Sequence, residues 1–124
     1  MVTYGTPFSG FSVSDIPAAK AFYSDVVGLP VEDAPGDALS LDLGDDHHVF
    51  IYPKGAAHTP ASFTVLNLPV DDVSAAVREL TARGAVFERY EGMPQDELGV
   101  MKGNGPDIAW FTDPSGNVIS VVAA

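Results

Sequence analysis

Apolar and polar residues alternate in two stretches of the chain, and apolar residues at helical spacing follow each stretch. The first alternation ends at Val13 and precedes an apolar stripe over residues 16–27. The second ends at Val70 and precedes a stripe over residues 73–80. A period of two is typical of a strand with one buried face, and a period of 3.6 of an amphipathic helix. The pattern predicts a strand followed by a helix, twice.

An aspartate stands between strand and helix in both stretches, Asp15 in the first and Asp72 in the second. Aspartate is favoured at a helix N-cap, where its carboxylate accepts backbone N–H bonds. Gly28 and Gly84 follow the stripes, where a left-handed residue often ends a helix. The correspondence between the two stretches indicates an internal repeat.

Three short strand patterns follow each helix. They are Pro30–Glu32, Leu39–Leu43 and His48–Tyr52 in the first half, and Val86–Tyr90, Ile108–Thr112 and Val118–Val122 in the second. Residues 91–106 are rich in glycine, proline and acids, which predicts a long loop. We therefore expect residues 1–124 to form one α+β domain of two tandem β-α-β-β-β modules, at about residues 4–56 and about residues 61–124.

Each module alone would bury only one face of its sheet, against its helix. Pairing of the two modules would cover the other face. The expected architecture is a curved eight-stranded cup with the helices outside and room for one small molecule inside.

The net charge of the chain limits the classes of partner that it is expected to bind. Seventeen acidic and six basic residues give a net charge of −11, which would repel nucleic acid and anionic membranes. The sequence predicts neither as a partner, and it favours a cationic or neutral ligand over an anionic one. The absence of cysteine, of a long apolar run and of a leader pattern indicates a soluble protein of the cytoplasm.

Several motifs together resemble the vicinal oxygen chelate superfamily, which includes glyoxalase I, extradiol dioxygenases and bleomycin-resistance proteins. They are Val13-Ser14-Asp15, Ala21-Phe22-Tyr23, Val70-Asp71-Asp72-Val73, Arg83-Gly84 and Asp113-Pro114-Ser115-Gly116-Asn117. The resemblance extends over nearly the whole chain. It implies the glyoxalase/bleomycin-resistance-like fold, a small-molecule pocket and pairing into a homodimer.

Catalytic members of this superfamily hold one divalent metal through His, Glu or Gln on the first and last strands of each half. The resemblance places three of those positions at Phe8, Val65 and Ser120. The fourth falls within residues 49–52, which contain no carboxylate, imidazole or amide. Because these side chains are poor metal ligands, we expect no metal and no cofactor, and the sequence identifies no catalytic residue.

Strand alternation predicts which side chains line the pocket. The predicted lining is Phe8, Gly10, Ser12, His48, Phe50, Tyr52, Val65, Asn67, Trp110 and Ser120. This set is mainly apolar and offers no evident general base. His47 and His48 are adjacent on a strand and would point to opposite faces, and nothing in the sequence brings His58 to them.

Three functions remain open. The leading one is a metal-free protein that binds an aromatic or cationic small molecule, for sequestration or transport. The alternative is a glyoxalase- or dioxygenase-type enzyme with a displaced metal site, drawing on His48, Tyr52, Asp107 or the long loop. The third is a protein whose main role is assembly.

Overall fold

The computed structural model describes all residues, Met1–Ala124, as a mixed α+β protein with seven strands and two α-helices. The chain divides into two compact units, Met1–Thr59 (unit 1) and Pro60–Ala124 (unit 2). Each unit has one open sheet with its helix packed against one face. This confirms the expected α+β class.

Unit 1 contains a four-stranded sheet. Its elements are β1 (Ser9–Val13), α1 (Ile16–Ala21), β2 (Val31–Ala34), β3 (Ala38–Asp42) and β4 (His48–Pro53). The α1 helix continues as a π-helical segment over Phe22–Val27, and a 3₁₀ turn over Gly55–Ala57 follows β4. The strand order is β1-β4-β3-β2, with β1 parallel to β4 and the other neighbours antiparallel.

Unit 2 repeats this arrangement with one strand fewer. Its elements are β5 (Thr64–Val70), α2 (Val73–Ala82), β6 (Ile108–Thr112) and β7 (Val118–Ala123). The order is β5-β7-β6, with β5 parallel to β7 and β6 antiparallel to it.

Both helices begin where the sequence predicts. The Asp15 carboxylate accepts the N–H of Ala18 at 3.0 Å, and the Asp72 carboxylate accepts the N–H of Ala75 at 3.0 Å. Gly28 ends the π-helical segment with a φ of 83°, which a residue with a side chain rarely adopts. Neither α1 nor α2 has the length and apolar character needed to cross a membrane.

The core of each unit lies between its helix and one face of its sheet. In unit 1 the side chains of Tyr23, Leu39 and Ile51 are fully buried there. In unit 2, Phe111 and Ile119 are fully buried. Because side chains alternate across a strand, the intervening residues lie on the opposite face, which we call the open face of each unit.

The predicted strand Val86–Tyr90 is wrong, apart from an isolated bridge between Phe87 and Phe111. Beyond that bridge, Met101 occupies the free edge of β6 by exchanging two backbone hydrogen bonds with Ile108 at 2.8 and 3.2 Å. The edge position that Tyr90 would need is therefore taken, and the protein has seven strands instead of eight.

Residues 91–106 contain no helix and no regular strand. A bridge between Gln95 and Met101 nevertheless folds part of the segment back on itself. The side chains of Gln95 and Asp96, as well as the backbone, hold this part in place.

Candidate functional site

The open face of unit 1 carries three aromatic rings in contact. Phe8 meets Phe50 edge-on with ring centres 6.3 Å apart, and Phe50 stacks on Tyr52 at 6.0 Å with an interplanar angle of 22°. Phe8 is 70% exposed. We call Phe8, Phe50 and Tyr52 the aromatic row, and it offers exposed ring surface to a flat ligand.

Gly10 leaves space beside this row. It lies opposite Phe50 in the parallel pair of β1 and β4, and a Cβ at Gly10 would stand 3.0 Å from the carbonyl oxygen of Phe50. A side chain here would have to displace backbone or cover the Phe50 ring. Glycine therefore keeps the centre of the aromatic row accessible.

Two acidic side chains share the open face of unit 1 with the aromatic row. Glu32 pairs across the sheet with Ser40, and Asp42 pairs with His48, which places both acids on the open face. A pocket of about 320 Å³ lies beside Phe8 and Phe50. Its lining is Thr6, Pro7, Phe8, Ala34, Pro35, Ser40, Asp46, His48 and Phe50.

The segment that contributes Ala34, Pro35, Ser40 and Asp46 to this pocket is rich in acids. Residues 32–46 include six acids and no lysine or arginine. Lys20 is paired with one of these acids, Asp33, at 3.0 Å. The pocket thus combines the rings of Phe8 and Phe50 with the carboxylate of Asp46, and rings beside a negative charge attract a cation.

Two of the three histidines of unit 1 lie within hydrogen-bond distance of a serine hydroxyl. The His58 ring lies 2.7 Å from the Ser12 hydroxyl, and the His48 ring lies 3.4 Å from the Ser40 hydroxyl. His47 lies just before β4. No group of three or more His, Asp or Glu side chains is arranged to hold a metal ion.

The positions implied for a divalent metal do not fit one. Phe8 is part of the aromatic row and Val65 is aliphatic. Ser120 is fully buried, and its hydroxyl donates to the Asn67 side-chain oxygen at 2.6 Å. The only nitrogen or oxygen side chain at these three positions is thus already engaged in a neutral hydrogen bond.

The open face of unit 2 brings three predicted lining residues into one line. Asn67, Ser120 and Trp110 lie side by side on β5, β7 and β6. Val65 is not part of this line, because the register shifts between Thr64 and Leu66. Of the ten predicted lining residues, six therefore lie in unit 1 and four in unit 2, with Val65 out of register.

A second pocket, of about 450 Å³, lies beside Trp110. The Tyr90 ring meets the Trp110 ring edge-on, with centres 5.5 Å apart and an interplanar angle of 76°. The lining of this Trp110 pocket is Ser62, Phe63, Thr64, Tyr90, Met93, Trp110 and Val118. The sequence prediction included only Trp110 of these, since Phe63, Tyr90 and Met93 lie outside the regular strands.

Tyr90 is uncharged at neutral pH. Burial raises the pKa of its phenol, and the nearby negative charge of Glu88 raises that pKa further. Tyr90 therefore contributes a neutral, amphipathic ring to the Trp110 pocket, and it is unsuited to act as a base.

Asp96 anchors the segment that carries these residues. Its carboxylate accepts the N–H groups of Leu98 and Val100, each at 2.9 Å. Burial alone would raise the pKa of Asp96, but these two hydrogen bonds and the charge of Lys102 outweigh it and hold the pKa below its usual value. The ionised form is thus the one that holds the segment.

The lowered pKa of Asp96 predicts that the backbone around Leu98 and Val100 becomes less stable in acid. A carboxyl group with a depressed folded-state pKa stabilises the fold above its ordinary pKa of about 3.9, and this contribution is lost as the pH falls through the folded-state value. Amide exchange of Leu98 and Val100 should therefore become faster, relative to its intrinsic rate, below about pH 4. Asp96→Ala should show fast exchange at neutral pH as well, and Glu97→Ala should not. Equal protection in Asp96→Ala and wild type would contradict the role of this carboxylate.

Comparison with known proteins identifies the family. The family model described as the Glyoxalase/Bleomycin resistance protein/Dioxygenase superfamily matches residues 8–121. The chain belongs to this superfamily, which confirms the resemblance seen in its motifs.

Solved structures with the same fold include two from Streptomyces sp. CB03234. One is TnmS3, an antibiotic binding protein, with 29% identity, 98% of each chain covered and a TM-score of 0.68. The other is a glyoxalase/bleomycin resistance protein, with 30% identity, 94% of this chain and 99% of that chain covered and a TM-score of 0.63. Lactoylglutathione lyase from Agrobacterium tumefaciens shares the fold at 22% identity, with 98% and 95% covered and a TM-score of 0.67.

Proposed function

We propose that the protein binds an aromatic, preferably cationic, small molecule without a metal, for sequestration or transport. The observation that carries this proposal is the aromatic row of unit 1, which stands among unneutralised acids. Where catalytic relatives would place metal ligands, this chain has a ring, an aliphatic side chain and a hydrogen-bonded serine. The site is thus equipped for contact and poorly equipped for activating water or oxygen.

The similarity to TnmS3 supports this function. TnmS3 is described as an antibiotic binding protein, and the similarity at 29% identity extends over 98% of both chains. By analogy, we propose that the ligand of this protein is an organic molecule of comparable chemistry, bound in the cytoplasm. Fold alone would not support this step, because function depends on the site.

We further propose that the protein acts as a homodimer. In unit 1 the strands β1 and β2 are the two edges of the sheet, and edge strands carry backbone groups that favour pairing. Native mass spectrometry of the purified protein would report the dimer. In the same spectrum, one Mn, Fe, Ni or Zn per chain would contradict metal-free binding and favour the enzyme alternative.

Three ligands that share one ring and differ in charge test the proposed specificity. Naphthalen-1-ylmethylammonium, naphthalen-1-ylmethanol and 1-naphthoate present the same bicyclic ring as a cation, a neutral molecule and an anion. We expect the cation to bind about tenfold more tightly than the anion, since attraction of the cation and repulsion of the anion by exposed carboxylates each contribute about 0.7 kcal/mol.

Amide shifts of Gly10 and Phe50 would follow binding to the aromatic row by NMR. The preference for the cation should shrink in high salt, because exposed charges are screened over about 10 Å at 0.1 M. Equal affinity for cation and anion would contradict the role of the acids. Binding of none of the three would contradict the proposed function as a whole.

A further inference from the structure

The Gln95 side chain makes three hydrogen bonds to backbone groups around it. Its oxygen accepts the N–H of Tyr90 at 2.7 Å. Its nitrogen donates to the carbonyl oxygens of Glu88 at 3.0 Å and Gly99 at 2.8 Å. One amide thus joins the two arms of residues 88–101, which we call the pinned segment.

The backbone and Asp96 reinforce this arrangement. The Asp96 N–H donates to the Val100 carbonyl at 2.9 Å, and the Arg89 guanidinium donates to the Asp96 carbonyl at 2.6 Å. Val100 is fully buried. The pinned segment therefore has its own hydrogen-bond network and an apolar anchor, which a mobile lid would lack.

Two walls of the Trp110 pocket depend on Gln95. The Gln95 N–H donates to the Met93 carbonyl at 2.9 Å, and the Met93 N–H donates to the Tyr90 carbonyl at 3.2 Å. Together with the bond from the Tyr90 N–H, these contacts fix the backbone at both pocket-lining residues. The Tyr90 ring is consequently held edge-on to Trp110 before any ligand arrives.

We propose that Gln95 is a positioning residue that determines the specificity of the Trp110 pocket for flat aromatic rings. By holding Tyr90 against Trp110, Gln95 keeps the pocket preformed. Binding of a ring beside Trp110 therefore carries no entropy cost for ordering the pinned segment. A bulky aliphatic group of similar size does not match walls made of Phe63, Tyr90 and Trp110. This inference rests on the proposed binding function, and it adds a residue that never touches the ligand.

The test compares Gln95→Met with Glu97→Gln. Methionine keeps the length of the side chain but forms none of the three hydrogen bonds, and Glu97 is an exposed neighbour in the same segment. The probes are naphthalen-1-ylmethanol, which is flat, and 1-adamantylmethanol, which is bulky. Trp110 is the only tryptophan, so its single indole N–H resonance reports binding in this pocket.

We expect Gln95→Met to weaken the binding of naphthalen-1-ylmethanol about tenfold and the binding of 1-adamantylmethanol by less than about threefold. The preference for the flat ring is thereby reduced. Glu97→Gln should leave both unchanged. In a Tyr90→Leu background, Gln95→Met should have no further effect, because Gln95 acts through Tyr90. A full tenfold loss in that background, or unchanged discrimination in Gln95→Met, would overturn the proposal.

A readout without ligand separates this inference from the proposed function. Acrylamide should quench Trp110 more strongly in Gln95→Met than in wild type, and the Tyr90 amide should exchange faster. If neither probe shifts the Trp110 resonance of wild type, the Trp110 pocket binds no ring and this inference is wrong, whereas the proposed function is tested separately at the aromatic row of unit 1. If quenching and exchange are then also unchanged in Gln95→Met, the positioning role of Gln95 is wrong independently of that result.

Discussion

Asp113→Ala should lower the free energy of unfolding by about 3 kcal/mol, because it would leave several buried polar groups without their acceptor. Asp113 is 4% exposed. One carboxylate oxygen accepts the N–H groups of Ser115 and Asn117, each at 2.9 Å. The other accepts the side-chain amide of Asn117 at 3.1 Å. The turn between β6 and β7 is therefore closed around this one side chain.

Urea unfolding followed by circular dichroism would measure the loss. Asp71→Ala is the matched control, since Asp71 is an exposed aspartate of the same unit and its replacement should change stability by less than about 0.5 kcal/mol. Asp113→Asn should lie between the two, because its amide can accept on one side only. A loss below about 1 kcal/mol in Asp113→Ala would show that the turn does not need the carboxylate.

This turn illustrates which parts of the fold are predictable from sequence. The helix starts at Asp15 and Asp72 and the turn over residues 113–117 depend on residues within a few positions of one another. Local chemistry of this kind is visible in the sequence as a pattern of residue types. The predicted starts of both helices are confirmed.

The prediction of a strand at Val86–Tyr90 is wrong because the pairing of this segment depends on residues further along the chain. Its alternation is compatible with a strand, but the edge of β6 is shared between Phe87 and Met101. Which of two distant segments occupies an edge is decided by competition between them, and Gln95 adds hydrogen bonds that favour the observed outcome. A single segment read alone does not contain this information.

The residues of the candidate site show the same difference between what a local pattern predicts and what depends on distant parts of the chain. Phe50 and Tyr52 were predicted because strand alternation fixes the face of each side chain, and the structure places them on the open face of unit 1. Met93 lies in the predicted loop, which has no periodicity, and Tyr90 ends the predicted strand Val86–Tyr90 but was not assigned to the pocket lining. The register of β5 shifts between Thr64 and Leu66, and such a shift has no sequence signal as clear as a glycine or proline.

Phe50→Ala should weaken binding of naphthalen-1-ylmethylammonium about 30-fold, the largest effect we expect on ligand binding. Phe50 is the central ring of the aromatic row, in contact with both Phe8 and Tyr52. Its removal would separate the two outer rings and widen the pocket beside Asp46. Titration calorimetry would give the affinity.

Two further variants test whether the affinity depends on the π face of Phe50, on its apolar bulk or on its position in the aromatic row. Phe50→Leu keeps most of the apolar area but has no π face. If the rings attract the cation, this variant should bind naphthalen-1-ylmethylammonium about tenfold more weakly than wild type. Tyr4→Ala removes a ring that is 81% exposed and outside the aromatic row, and it should have no effect. If Phe50→Leu binds as tightly as wild type, burial alone explains the affinity, and the preference for a cation would then have to come from the acids around the row. A loss in Tyr4→Ala as large as that in Phe50→Ala would mean that exposed rings in general, and not the arrangement on the open face of unit 1, hold the ligand.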